Sequence, residues 1–438
     1  MKKLCIVSCP IDTLSGYGSR SRDLVRSLIK LKDDKWDIKI LAQRWGNTPW
    51  GVLDPEKDID LISRLVPNIH RKPDVWIQIT VPNEFQPVGN INIGVTAGIE
   101  TTICPPQWIE GCNRMNLVLT SSNHSKKVFE SVQFKVANEQ GQPTGQEIKL
   151  TTPVEVLFEG FDTDIYKHIE SSNILPSVND LMSSVKENFA FLLVGHWLPG
   201  NLGEDRKNIG LTIKTFLEAF KTTNNPPALV IKTSLGTNSI MDQSEVKKRI
   251  FDIKKLVLKN SEKSPNIYLI HGELSDEEMN HLYNHPKIKA HINLTKGEGF
   301  GRPLLEASLS KKPIIASNWS GHLDFLNSNH TFLVKGNLAQ VHESAVREQG
   351  VMKEAQWFSF NISEAKDIMK EIFKNYIKYK EKSIRQYVHV SNFTWDKMTE
   401  LLETYLEKYV KLPELVQLKL PQLKKIELPK ISKLTKND

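Results

Sequence analysis

Residues 297–306 read Gly-Glu-Gly-Phe-Gly-Arg-Pro-Leu-Leu-Glu, and their setting constrains the fold more than any other stretch. The apolar run His291-Ile-Asn-Leu-Thr295 precedes them. A helix-like segment over 304–310 follows, and then a second apolar run, Pro313-Ile-Ile-Ala-Ser317. The order is strand, glycine loop, helix, strand. Glycines lacking a Cβ let a backbone approach a ligand closely. Pro303 suits a first helical position, where its missing N–H costs nothing. A helix start behind such a loop attracts anions. Glu298 and Glu306 flank the loop eight residues apart. A carboxylate repels phosphate, so this pair suits neutral hydroxyls, as on a sugar and a ribose. The parts together describe a pocket for a sugar joined through a diphosphate to a nucleoside.

The same alternation runs along the rest of the chain. In the first half, strands are expected over 4–8, 36–42, 74–79, 91–96, 116–120 and 154–158, with helices over 20–32 and 121–131. Residues 138–146, rich in Gly, Gln and Glu, read as an exposed insertion. Residues 174–188 are polar and weakly patterned and read as a boundary. Alternation then resumes, with strands over 189–194, 228–232 and 267–271 and helices over 209–220, 243–258 and 275–283. Residues 357–376 and 392–409 read as C-terminal helices. Strands alternating with helices predict parallel, doubly wound sheets. A length of 438 residues suits two such cores.

Composition excludes several classes. Hydrophobic content is 39% and charged content 25%, which suits a soluble globular protein. No apolar run approaches a membrane span, and the short apolar N-terminus reads as a first buried strand instead of a signal peptide. Four cysteines, Cys5, Cys9, Cys104 and Cys112, make no disulfide framework or zinc spacing, so reduced thiols and a cytoplasmic location are expected. The net charge of +7 permits nucleic acid, anionic lipid or acidic glycan as partners without choosing among them.

Glu298-Gly-Phe-Gly301, Glu306-Ala307 and Lys312-Pro-Ile-Ile-Ala-Ser-Asn-Trp-Ser-Gly321 resemble the donor-site signature of retaining glycosyltransferases of the GT-B fold, above all the large family four (glycosyl transferases group 1). That pattern is two glutamates separated by seven residues, a buried strand, and a Ser-Gly turn. The resemblance implies two Rossmann-like domains facing each other across a cleft. It divides the chain into an acceptor-side domain (1–173), a donor-binding domain (174–391), a helix returning to the first domain (392–410) and a tail (411–438). It implies transfer of a hexosyl or pentosyl group from a nucleotide-sugar to an acceptor hydroxyl, with no metal and no cofactor beyond that co-substrate. The usual front-face scheme needs no protein nucleophile, and the sequence offers no clear one.

Carried over residue by residue, the resemblance assigns the diphosphate to Arg206 and Lys207, behind Gly195. The family often has arginine where His196 stands. Glu298 would meet sugar hydroxyls and Glu306 the ribose. Gly299, Phe300, Gly301 and Leu305 complete the donor loop, and Gly272 and Leu274 fall in the base-contacting region. Leu14-Ser-Gly-Tyr-Gly18 would bring Gly16 and Gly18 beside donor phosphate and acceptor. Glu100, in Gly98-Ile-Glu-Thr-Thr102, would orient the acceptor or act as a base. Ser121, Ser122 and His124 resemble a family turn. Phe158-Glu-Gly-Phe-Asp162 resembles the family's exit turn, with Glu159 in place of asparagine. Asp162-Thr-Asp164 looks like a metal motif of another glycosyltransferase fold, but it lies outside the donor signature.

Two features leave the partner open. Arg22, Arg26 and Lys30 form a four-spaced basic stripe, either a solvated face or a contact for anionic lipid or a phosphate-bearing acceptor. Residues 411–434 comprise three eight-residue units with Pro413, Pro421 and Pro429 in register. That tail reads as a disordered basic extension, as docked extended segments, or as a partner- or nucleic-acid-binding arm. The acceptor expected by default is a glycan or lipid-linked glycan, at the cytoplasmic face of a membrane in the latter case. The alternatives are a hydroxymethylated base in DNA, or epimerase or phosphorylase chemistry on the same fold.

Overall fold

The computed structural model describes residues 2–412 except 47, 139, 259–263 and 348–349. The tail repeat from Pro413 onward therefore lies outside the described residues. Two six-stranded parallel sheets organise the chain. The first contains β1 (Lys3–Cys9), β2 (Trp36–Ala42), β3 (Val75–Ile79), β4 (Ile91–Thr96), β5 (Leu117–Thr120) and β8 (Val154–Val156), in the order β2-β1-β3-β4-β5-β8; β6 (Gln133–Ala137) and β7 (Pro143–Lys149) form a separate antiparallel hairpin. The second contains β9 (Ala190–Val194), β10 (Ala228–Lys232), β11 (Ile267–Ile270), β12 (Ile288–Asn293), β13 (Ile314–Ser317) and β14 (Phe332–Val334), in the order β11-β10-β9-β12-β13-β14.

Period-two side-chain alternation builds the layers. In β1, Cys5, Val7 and Cys9 face a core shared with Leu24 and Leu28 of the first helix (Gly16–Lys32), while Leu4 and Ile6 face Trp108, Ile109 and Phe129 on the other side. In β9, Phe191 and Leu193 meet helices Ile209–Phe220 and Ile240–Val257, while Ala190 and Leu192 meet helices Asp276–Asn284 and Arg302–Ser308. Each sheet is thus covered on both faces, which suits its nearly continuous apolar strands. All four cysteines are buried and free.

The last helix, Trp395–Tyr409, lays Met398, Leu402 and Leu406 into the core of the first sheet. Its start is tied to the exit turn: Trp395 N donates to Phe161 O at 2.7 Å, and Phe161 N to Phe393 O at 3.0 Å. A Cβ on Gly160 would stand 2.6 Å from Thr394 O, so this crossing of the chain requires glycine.

One expectation is corrected. Residues 357–376 are not one helix. Gln356–Phe360 is β16, paired antiparallel with β15 (Gly336–Gln340), and helices Ile362–Lys374 and Tyr376–Val390 follow. The Trp-Phe-Ser-Phe alternation of β16 is period two, and Asn361 caps the next helix through its side chain. Residues 174–188, read as a boundary, add Ile174, Val178, Met182 and Val185 to the second domain's core. The exposed insertion expected around 138–146 is the tip and second strand of the β6–β7 hairpin.

Candidate functional site

In open parallel sheets, ligands bind at the carboxyl ends of strands where the strand order reverses. In the second sheet that switch point lies between β9 and β12. The loop after β9 carries Arg206 and Lys207, and the loop after β12 carries Glu298. Backbone ties fix the two loops together: Lys296 N donates to Arg206 O at 2.8 Å, and the Asn208 side-chain amide to Leu294 O at 3.1 Å.

Charged side chains converge there. Lys207 Nζ lies 2.7 Å from both carboxylate oxygens of Glu298. Arg206 reaches Glu298 Oε2 at 3.4 Å, Gly297 O at 2.7 Å and Glu100 Oε1 at 3.2 Å. Glu100 comes from the first domain, so Arg206 bridges the two domains. Burial alone would raise the Glu298 pKa. The adjacent Lys207 and Arg206 charges override that and hold it down at about 2. Arg206, Lys207, Glu298 and Glu100 thus form one cluster.

The glycines have a different task from ligand approach. A Cβ on Gly299 would stand 2.1 Å from Ala97 O, and one on Gly297 2.1 Å from Glu100 O. The loop backbone is pressed against the first domain. Gly301 needs glycine for its φ of +99°. The helix behind it has only seven residues, so side-chain cations dominate this site over a helix end. Phe300 packs on Phe325 at 5.0 Å and Leu305 is wholly buried in the core. Neither side chain reaches the cleft, and only their backbone remains for a ligand.

Glu306 sits in a second cluster. It accepts from Tyr283 Oη at 3.0 Å and from Arg302 Nε at 3.1 Å. Burial raises its pKa to about 7 against the opposing charge of Arg302, and Asp276 adds to the rise. Arg302 also reaches across the domains to Asp23 Oδ2 at 2.6 Å. The Arg302–Glu306 spacing of four was legible as a helical ion pair, but Asp23 and Tyr283 carried no sequence signal.

A third group lines the strand ends beyond Gly195. His196 Nδ1 lies 3.4 Å from Ser234 Oγ. Burial lowers the His196 pKa, and the nearby charges of Lys207 and Lys232 lower it further. Lys232 donates to Gly272 O at 2.7 Å, and among the described residues no carboxylate pairs with it within 4.0 Å. Sequence reasoning missed Lys232. Its signal was a lysine ending the buried run Ala228-Leu-Val-Ile-Lys232. Gly272 has a φ of +102° and open space at its Cβ position, while Leu274 packs against the second core.

On the first domain, Ser15 caps the helix that begins at Gly16, so the 14–18 glycine stretch is a helix start. Nothing lies within 4 Å of a Cβ on Gly16, whereas one on Gly18 would strike Thr13 O at 2.1 Å. Tyr17, another residue the sequence did not flag, bonds Thr96 Oγ1 at 3.0 Å and Ala97 N at 3.1 Å. Ser121 bonds Ala97 O and Ser122 caps the next helix. His124 meets Trp319 of the second domain edge-on at 4.7 Å; burial lowers its pKa to about 4. Thr102 exchanges two 2.9 Å bonds with Gln356 of β16, which closes the seam. The basic stripe is consumed internally: Arg22 bonds Ile11 O and Thr13 O, Arg26 pairs with Asp58 and Asp60, and Lys30 with Asp396. Asp162 accepts from Asp164 N at 2.8 Å in a local turn. Among the described residues, no group of three or more His, Cys, Asp or Glu side chains is placed to hold a metal.

Residues 204–349 match the model of the family described as Glycosyl transferases group 1. That segment holds Arg206, Lys207, Glu298 and Glu306. No curated protein matches the chain. Solved structures of similar fold include HepE from Anabaena in complex with UDP and glucose (TM-score 0.58, 14% identity, covering 93% of this chain and 100% of that one). A glycosyltransferase from Rickettsia africae is similar at TM-score 0.59 and 15% identity, over 93% and 98% of the two chains. Sucrose-phosphate synthase from Thermosynechococcus elongatus is similar at TM-score 0.59 and 10% identity, over 93% and 99%. The fold is GT-B: two Rossmann-like domains meeting at their strand carboxyl ends.

Proposed function

We propose that this protein is a retaining glycosyltransferase that moves a sugar from a nucleotide-sugar to an acceptor hydroxyl on a glycan or lipid-linked glycan. The observation that carries this reading is the Glu298–Lys207–Arg206 cluster at the switch point. Two cations there suit a diphosphate, and they stabilise the negative charge that develops on it as the glycosidic bond breaks. The carboxylate they hold ionised is an acceptor for sugar hydroxyls. Lys232 extends the positive field along the strand ends toward Gly272, where the nucleoside would lie, and the neutral His196 offers a hydrogen bond beside it. Glu306 would accept from the ribose. Glu100 stands on the acceptor side of Arg206, and in this reading it orients the incoming hydroxyl. The departing phosphate oxygen takes the acceptor proton, so neither a protein nucleophile nor a metal is required. The family match over 204–349 and the likeness to a fold seen with UDP and glucose support a uridine nucleotide as the first donor to test.

The test is a thermal-shift titration with UDP, GDP, ADP, CDP and their sugar conjugates. A ligand at a hundred times its Kd stabilises the native state by about 2.7 kcal/mol. A shift with one nucleotide that vanishes in Arg206→Ala supports the site and names the donor class. Glycan and modified-DNA acceptors are then compared side by side. No shift with any nucleotide at saturating concentration overturns the reading.

A further inference from the structure

We propose that the outer face of helix Ile240–Val257 docks on an anionic lipid bilayer. The helix has apolar residues on two sides. Val246, Ile250, Ile253 and Val257 are buried against the second sheet. On the outside, Ile240 and Met241 are each 83% exposed and Phe251 is 64% exposed. Large apolar side chains this exposed along one face of a helix mark an interaction surface. Helical geometry places Ile240, Met241, Lys247, Lys248, Phe251 and Lys255 on one arc, with Lys254 at its edge, spanning about 140°. From Ile240 to Phe251 the face is about 16 Å long.

The charge pattern selects the partner. Lysines alternate with the apolar residues, and their stems lie along an apolar surface while the ammonium groups reach phosphate. Two of the three acids of this helix are engaged off the face, and the third lies at its edge. Asp242 is buried and accepts from Leu235 N, Thr237 N and His271. Glu245 pairs with Arg249, and Asp252 borders the face beside Lys248 at 3.5 Å. The chain's own tail is a poor occupant, because residues 413–438 carry six lysines against three acids. Nucleic acid would use the lysines but leave Ile240, Met241 and Phe251 in water.

The location links this face to the cleft. The helix begins at the loop that follows the carboxyl end of β10, the same end of the sheet that carries Lys232 and the Glu298 cluster. Docking would set the cleft beside the bilayer surface. The proposal concerns lipid binding and holds independently of the donor sugar or acceptor.

The experiment is co-sedimentation of the full chain with vesicles of phosphatidylcholine alone and of phosphatidylcholine mixed with phosphatidylglycerol. Binding is expected to the mixed vesicles and to weaken in high salt. Removing Lys247 and Lys255 (both →Ala) should cut partitioning roughly fivefold per lysine. Phe251→Ser should cut it about tenfold through lost apolar burial. Both variants should melt at the wild-type temperature, because the altered side chains lie on the outer face. Equal binding to both vesicle types, or unaltered binding in both variants, overturns the proposal; the second result would assign binding to the tail. Absence of vesicle binding together with DNA binding that the lysine variant loses would assign the face to nucleic acid instead.

Discussion

The two domains use one architectural idea with different chemistry. Both put their loops at the carboxyl ends of a parallel sheet, and both have a switch point, β1/β3 in the first domain and β9/β12 in the second. The second domain fills its switch point with charge: Arg206, Lys207 and Glu298. The first fills its side with neutral groups, Tyr17, Thr96, Ser121 and the backbone of Ala97, and contributes Glu100 and Asp23 as carboxylates to the partner domain's arginines. Charged groups on one side suit a charged donor. In the proposed reading, the hydrogen-bonding wall on the other side faces the acceptor.

The comparison breaks first at Glu298. Glu298→Gln is expected to lower the rate of transfer by about 10²–10³-fold, the scale of losing one preorganised polar contact at a reacting centre. Its melting temperature should fall as well, because Lys207 and Arg206 lose their buried counter-charge. Wild-type transfer in this variant would refute the donor side of the contrast. Next is Gly299→Ala. The new methyl would collide with Ala97 O and force the domains apart, so transfer should fall by about 10²-fold while nucleoside diphosphate affinity, measured by calorimetry, stays near wild type. Equal losses of both would show that the glycine serves the donor and not the seam.

The pH dependence of stability sharpens the contrast within the donor domain. Glu306, raised to about 7, contributes stability that is full at low pH and is lost as pH rises from about 4 through 7. Glu298, lowered to about 2, contributes stability above about pH 4 that is lost as pH falls toward 2. Melting curves between pH 5 and 8 should therefore fall more steeply in the wild type than in Glu306→Gln. Identical slopes would show that Arg302 alone keeps Glu306 ionised. The smallest effect is expected from Asp23→Asn, which removes a partly buried bridge to Arg302 that Glu306 still backs. A drop in melting temperature of about 2 °C is anticipated, with a nucleotide affinity that does not change.

Strand–helix alternation was legible in the chain alone, because period-two and helical apolar patterns are local properties of the chain. Glu298 and Glu306 stood out as carboxylates flanking a glycine loop between apolar runs, whereas Arg206 and Lys207 were singled out only through the family resemblance. Local pattern misled at 357–376, where an aromatic strand and the helix Ile362–Lys374 were merged. It also left out the buried Ile174, Val178, Met182 and Val185, whose apolar character is diluted by polar neighbours. Only the tertiary structure decided what those residues touch. Gly297 and Gly299 turned out to serve the domain seam, because a backbone's neighbour across an interface leaves no trace in local spacing. Asp23 meets Arg302 from 279 residues away, and Lys232 and Lys207 come together only around His196. Long-range electrostatics depends on distances that chain order does not encode, so the charges were legible while their partners, and the pKa values those partners set, were not.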